Sequence, residues 1–537
     1  MLSNHVRAAV ATRLTPVVAL ALLISSCGGA HQAVTPALPG SPFAFQTGGE
    51  GSPALVVTIN VVVTVPVNAP GTQSISISVN GGRATIANLT SGSPGCSGSP
   101  LVCTIPIGAK TGLDVFAFKT FSGTGGSGNV VAQGDVFQKI SPGSSVHIAL
   151  AGTPSAIVLA LKRVDPRECD PATDIALYVM VMDSAANVII GGYGETVMLS
   201  DSDTSGKTTL SVSSLSDSST SVSVHYVGFP LKSATFSASA AGVSSVTAAI
   251  LKPQQMLYVT STQTITVYPS NANGNVTPVR TIAGSNTGLG QFNGVALDNS
   301  CDLDVAVYNT NAVLVFSAGS NGNVSPIRTI SGANTLIANP QGIAVDAAGN
   351  TYVANTGATD ILEFASNANG NVSPIKNIGG SNTGLSNNTD VAIGPKGKIY
   401  VANANGPNVL VYSANANGNV APTAAITNST LPFNSPRGIE VDTSGKVYVS
   451  DFGNTSFSVF SANANGSSAP LQEVVGGNTM MSGPIGISVD YAGEVGVTNY
   501  FATAQSAFAK GANGNVAPKR TISGANTGLA APFGNAI

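Results

Sequence analysis

Residues able to do acid–base, nucleophilic or metal chemistry are scarce in this chain and unevenly placed. Of 537 residues only 4 are His and 5 are Cys, and 22 Lys and Arg face 25 Asp and Glu. His225 is the last histidine, so a Ser–His–Asp or Cys–His relay has no imidazole to use in the C-terminal half. His147 and His225 each stand alone within a strand-like run, where a rim or packing role is the simpler reading. The C-terminal half instead carries polar columns. Asn355, Asn403, Asp451 and Asn499 follow one another at a step of 48 residues, and Asn286, Asn334, Asn382, Asn478 and Asn526 keep the same register. Such amides could form a neutral mouth that hydrogen-bonds a peptide, a glycan or another protein. They could equally hold turns, because Asn tolerates left-handed backbone and bonds its own main chain. The turn reading is the stronger, since a side chain repeated in most units does not make the unique constellation that catalysis needs. Asp390, Arg437 and Asp451 break the columns and are the better site candidates. Tyr500 and Phe501 follow Asn499 in a chain without Trp, as a sugar-stacking surface or as a hydrophobic loop packed between units.

These columns belong to a repeat. The Gly of an Asn-Gly-Asn-Val-like turn recurs at 274, 322, 370, 418, 466 and 514, and an aromatic recurs as Tyr268, Phe316, Phe364, Tyr412, Phe460 and Phe508. Each unit reads as four short strands, for example 342–346, 351–355, 361–366 and 374–378, which is the pattern of a propeller blade. The repeat opens on its second strand, 257–261, and closes on a first strand, 533–537, so joining the two completes a ring. The segments PQGIAVDAAGNTYVAN (340–355), SPRGIEVDTSGKVYVSD (435–451) and GPIGISVDYAGEVGVTN (483–499) resemble the NHL repeat. That resemblance implies a six-bladed β-propeller over 251–537, closed by the C-terminal strand. It implies no single function: relatives include scaffolds that bind proteins or RNA, and a few lyases and lactonases. The lyase type needs several His ligands, absent here. The lactonase type holds Ca²⁺ with carboxylate and Asn oxygens, so Ca²⁺ is the one cofactor to consider and otherwise none is expected.

The middle of the chain predicts two β-sandwich modules, over 53–154 and 155–250, from short β-rich runs broken by Gly, Ser, Pro and Asp. SISISV (74–79) alternates strictly, as a half-buried strand does. MDSAANVIIGGYGETVMLSDSD (182–203) resembles bacterial Ig-like repeats, with Ala185 and Ala186 where a Gly is often found. The expected fold class is therefore all-β: two Ig-like sandwiches, then the propeller.

The N-terminus reads as an export signal. Arg7 and Arg13 precede the apolar run PVVALALLI (16–24), far shorter than the roughly 20 residues that span a bilayer. Ile24-Ser25-Ser26-Cys27 resembles the bacterial lipobox. This implies a signal peptide over 1–26, lipidation of Cys27, and a flexible Gly/Pro/Ala tether over 27–52. Gly28 is not the Asp of an inner-membrane retention signal, which favours the outer membrane or cell surface. In an oxidising envelope Cys96 and Cys103, in one Gly/Ser/Pro-rich loop, are expected to form a local disulfide. Cys169 and Cys301 lie in different predicted domains, which disfavours a bridge between them. A charged fraction of 9% and a formal net charge of −3 leave no basic excess for nucleic acid. The expectation is a monomeric, non-catalytic envelope lipoprotein, anchored in the membrane by its lipid, whose propeller binds another protein or an envelope polymer. The alternative is a Ca²⁺-dependent hydrolase of the lactonase type, acting on a lactone or ester.

Overall fold

The computed structural model describes residues 55–537 except 68–70, 164–165, 170–171, 229–230, 232 and 292, and the side chains of 246–250 and 293. The expected signal peptide, Cys27 and the tether lie outside the described residues. The described chain is all-β.

In the first module Val56–Val65 pairs antiparallel with Leu101–Lys110 and parallel with Ser145–Gly152. A second sheet orders Thr85–Asn88, Ser74–Val79, Gly112–Phe121 and Val130–Ile140. Alternate residues face inward, so Ile59, Val61 and Val63 of one sheet meet Ile75, Ile77, Phe116 and Phe118 of the other in one core. Cys96 lies directly opposite Cys103 across a strand pair, and the two are disulfide-bonded, with Cα atoms 4.0 Å apart.

The second module is not a separate bead. Its strand Val188–Asp201 begins by pairing in parallel with Ser145–Gly152 of the first module, Val188 opposite Ile148. Past Gly191, whose φ of 111° is a conformation that favours glycine, it crosses to another sheet and pairs with Ser214–Asp217 and Ala234–Ala240. One strand thus serves two sheets. The core of the first module accordingly takes in Met180, Met182, Val188 and Ile190.

From Met256 onward the chain builds a β-propeller. Five sheets run in sequence order from an inner strand outward; their inner strands are Asn293–Leu297, Pro340–Val345, Asn388–Ile393, Pro436–Val441 and Pro484–Val489. In the remaining sheet, the first in chain order, Met256–Ser261 and Thr264–Pro269 are the middle strands, and Asn535–Ala536 supplies the inner one by pairing with Tyr258 and Val259. Between neighbouring sheets lie apolar layers such as Val305, Val307, Leu314 and Phe316, all buried.

The Asn-Gly-Asn turns do more than connect the third strand to the fourth. Each lies against the outer strand of the preceding sheet: Gly322 bridges in parallel to Ile282, Gly370 to Ile330, Gly418 to Ile378 and Gly514 to Val474. Flanking asparagines add side-chain bonds, Asn321 Oδ1 accepting from Thr281 N at 2.9 Å and Asn323 Oδ1 from Asn286 N at 2.8 Å. Between the fourth and fifth sheets the contact grows to a short parallel strand, Gly466–Ser468 against Ile426–Asn428. The last stitch, Gly274 to Ile522, joins the first unit to the last.

Sandwich and propeller meet at a short junction. Cys169 and Cys301 are bonded to each other, with Cα atoms 5.7 Å apart, which corrects the expectation that a domain boundary would keep them apart. The fold brings the inner-to-second-strand turn carrying Cys301 to the sandwich segment 167–169, between the strands Ala156–Leu161 and Thr173–Met182. Beside it Tyr491 Oη donates to Glu168 at 2.7 Å, and Glu168 N donates to Gln254 O at 2.9 Å.

Candidate functional site

The inner strands wall a central channel with a cavity of about 230 Å³. Its narrowness follows from a column of small residues. Gly294, Gly342, Gly438 and Gly486 occupy equivalent positions, and at each a Cβ would collide with the next sheet: at Gly438 it would lie 2.1 Å from Ile485 O. Asp390 is the departure from that column. Its side chain leans across Gly342, where an added Cβ would sit 2.1 Å from Asp390 Oδ1. Its oxygens accept from Val391 N at 2.9 Å and from Ile439 N of the next sheet at 3.0 Å. Asp390 thereby ties three sheets together at the channel wall.

Two residues beyond Gly438 on the inner strand Pro436–Val441, Glu440 also lines the channel, in a column otherwise filled by Ala296, Ala344, Ala392, Ser488 and Ala536. Both carboxyls are walled by protein. Burial pushes Asp390 up to about 7 despite its two backbone N–H bonds. Burial, reinforced by the charge of Asp390, pushes Glu440 up to about 8. The channel thus holds two carboxyls whose burial shifts them toward the protonated form.

The mouth opens where the loops between second and third strands gather. Arg437, at the start of the inner strand Pro436–Val441, lines the cavity there. Its Nε donates to Ser435 Oγ at 3.1 Å and its guanidinium lies 5.4 Å from the centroid of the Phe452 ring. Phe452 contacts Phe501 at 5.5 Å between centroids, and Phe501 contacts Tyr500 at 5.3 Å. Phe501 is 65% exposed. Both phenylalanines follow the second strands of neighbouring sheets, so one aromatic wall spans the fifth and sixth units beside Arg437.

The asparagine column does not face this mouth, which corrects its reading as a ligand surface. Asn355, Asn403 and Asn499 are fully buried. Each fastens the loop that leads into its own inner strand: Asn355 Oδ1 accepts from Ala338 N at 2.6 Å, Asn403 Oδ1 from Ser386 N at 2.6 Å, and Asn499 Oδ1 from Ser482 N at 3.2 Å. The amide nitrogens of Asn355 and Asn403 close the loop further on Leu336 O and Gly384 O. Asp451 plays the same part without an amide. Its Oδ2 accepts from Asn434 N at 2.8 Å, and Asn454 Nδ2 supplies the missing donor, reaching both Asp451 Oδ2 and Pro432 O at 2.8 Å. The second set, Asn286, Asn334, Asn382, Asn478 and Asn526, follows the outer strands and donates backbone N–H groups to the Asn-Gly-Asn turns. Of the expected site residues, the structure brings together Arg437 and Tyr500 at the mouth, with Asp390 in the channel beyond. Glu440 and Phe452 were missed; Glu440 stands out in the 48-residue register as the charged residue of a small-residue column, whereas Phe452 shares its column with Tyr308 and Tyr500.

The two described histidines lie apart from the mouth: His147 Nε2 pairs with Ser145 Oγ and His225 Nδ1 with Asp174 Oδ1, each at 2.8 Å within the sandwich. Among the described residues no group of three or more His, Cys, Asp or Glu is placed to hold a metal ion. The channel suits Ca²⁺ poorly, because such an ion wants several ionised oxygens. Asp390 and Glu440 are both held toward the protonated form, and both oxygens of Asp390 already accept backbone N–H bonds.

No protein-family model matches the chain, and no curated protein does. Solved structures do, as β-propellers. A streptogramin B lyase matches with a TM-score of 0.32 and 14% identity over 40% of this chain, which spans 65% of that protein. A nidogen/laminin complex matches at 0.39 and 14%, over 52% of this chain and 97% of that one. The Pseudomonas aeruginosa periplasmic gluconolactonase PpgL matches at 0.35 and 16%, over 47% and 79%. At these identities the likeness concerns the fold, and its holders include both enzymes and binding proteins.

Proposed function

We propose that this is an exported, lipid-anchored envelope protein whose six-bladed propeller is a non-catalytic binding platform, carried on an Ig-like sandwich stalk. The anchor rests on the lipobox-like Ile24–Cys27 segment, and the six blades on the six sheets and their continuous stitching. The observation that carries the binding reading is the contrast within the ring. Repeated polar columns are spent on the protein's own loops, whereas Arg437, Phe452, Tyr500 and Phe501 stand at positions where the residue type varies from unit to unit and cluster, partly open, at the channel mouth. The mouth lies at the second-to-third-strand end of the sheets. The sandwich grips the opposite end, through turns at Cys301 and Tyr491. A stalk attached at that end leaves the mouth free for a partner.

A Ca²⁺-dependent hydrolase would need free carboxylate oxygens in the ring, but Asp451 is engaged by Asn434 and Asn454 and Asp390 by two backbone donors. The test uses the lipidated chain in envelope extract. Cross-linking from a photoreactive group near Phe501 should capture a partner, and Arg437→Ala with Phe501→Ala should abolish that capture while leaving the Tm unchanged. Equal capture by the double variant overturns the platform reading. A Tm rise of several degrees on adding Ca²⁺, lost in Asp390→Asn, would instead establish the hydrolase-type site.

A further inference from the structure

We propose that the mouth binds a carboxylate carried on a flat ring, with the carboxylate on the Arg437 guanidinium and the ring on the exposed face of Phe501. The inference rests on the mouth being the binding face and names the chemistry it takes.

The first ground is the state of Arg437. Among the described residues only its Nε is engaged by an oxygen, the Oγ of Ser435, and its flat face rests on Phe452. Among the described residues no carboxylate pairs with it, whereas Lys376, Lys519 and Arg520 each have one. Its terminal nitrogens make no hydrogen bond to the described residues and border the channel cavity. A half-buried guanidinium pays a desolvation cost that its protein surroundings do not offset, and burial does hold its pKa below the usual arginine range. A planar fork of N–H donors, held flat by stacking, matches a carboxylate in two parallel bonds.

The second ground is the aromatic wall. Phe501 keeps 65% of its surface open, in contact with Tyr500 on one side and Phe452 on the other. A ring laid on that surface buries apolar area and gains an aromatic contact. Wall and cation are joined through Phe452, so one ligand can reach both. Deeper entry is opposed. Asp390 and Glu440 lie beyond Arg437 along the inner strands, and the glycine column narrows the channel there. A carboxylate therefore stops at Arg437, leaving its ring at the mouth.

The test titrates the purified full-length chain with phenylacetate, phenylacetamide and acetate, followed by saturation-transfer NMR. Phenylacetate is expected to bind at least about tenfold more tightly than either the neutral amide or the ringless acid, because each lacks one of the two contacts. Arg437→Gln and Phe501→Ala should each weaken phenylacetate by about tenfold, with unchanged Tm, while Arg437→Lys should recover only part of the loss. Equal affinity for phenylacetate and acetate, or indifference to either substitution, overturns the assignment. If partner capture still depends on Arg437 and Phe501 but phenylacetate neither binds nor competes, the platform stands and this ligand class falls. If phenylacetate competes with capture, the natural occupant is a ring-bearing carboxylate on the partner. If it binds without competing, the occupant is a free small acid.

Discussion

Glu168 shows how one side chain can set the pH behaviour of a junction. It is 3% exposed, accepts from Tyr491 Oη, and has its own carbonyl bonded by Tyr226 Oη at 3.1 Å. Burial pushes its carboxyl up from 4.5 to about 7, against the lowering effect of the Tyr491 bond. A carboxyl raised in the folded state holds its proton where the unfolded chain has already lost it. Stability from this group is therefore greatest below pH 4.5 and is lost as pH rises toward 7, by on the order of 3 kcal/mol. Glu168→Gln keeps the acceptor for Tyr491 and removes the titration. It should match wild type at pH 4 and be the more stable protein at pH 8, as read by denaturant midpoints; a constant difference across pH would refute this origin. At this scale the sequence was only half legible. Register exposed the repeated asparagines, but not that Asn355 and Asn403 turn inward, because that depends on which loop backbone lacks partners.

At the level of strands and turns, the glycine column governs how closely the inner strands approach. At Gly342 an added Cβ would meet not only Asp390 Oδ1 but the Asp390 Cα, at 2.4 Å, so no rotamer change relieves the clash. Gly342→Ala should cost about 2 kcal/mol or more in urea unfolding. Gly477→Ala, where a Cβ meets nothing within 4 Å, should cost far less and serves as its control. The four-strand unit was readable from sequence because short alternating runs and turn glycines recur at a constant step. The stitching role of the Asn-Gly-Asn turns was not, since it joins residues about forty positions apart, such as Thr281 and Asn321. The shared strand Val188–Asp201 was hidden for a similar reason: its change of sheet depends on Gly191 and on which neighbours flank it.

For the molecule as a whole, the junction matters because of where it grips. Cys301 belongs to the sheet after the ring seam and Tyr491 to the sheet before it, while the seam itself is held by the short strand Asn535–Ala536. The sandwich therefore holds both neighbours of the sheet that closes the ring. Cys169→Ser with Cys301→Ser removes a link between residues 132 positions apart and should cost about 2–5 kcal/mol. Calorimetry should then show the propeller melting earlier than the sandwich, whereas an unchanged single transition would show that the disulfide carries little. Reading this link from sequence fails because two cysteines so far apart become neighbours only after both domains have formed.

The stitches around the ring are head-to-tail: every unit offers its Asn-Gly turn to the unit before it and an outer edge to the unit after. Contacts of that polarity close on themselves only for the right number of copies, and otherwise continue from molecule to molecule. Repeat number in this protein is therefore a count that the geometry enforces. Loss of a single internal repeat would leave one unfilled edge and one unspent turn, and the product would be a filament former rather than a smaller wheel.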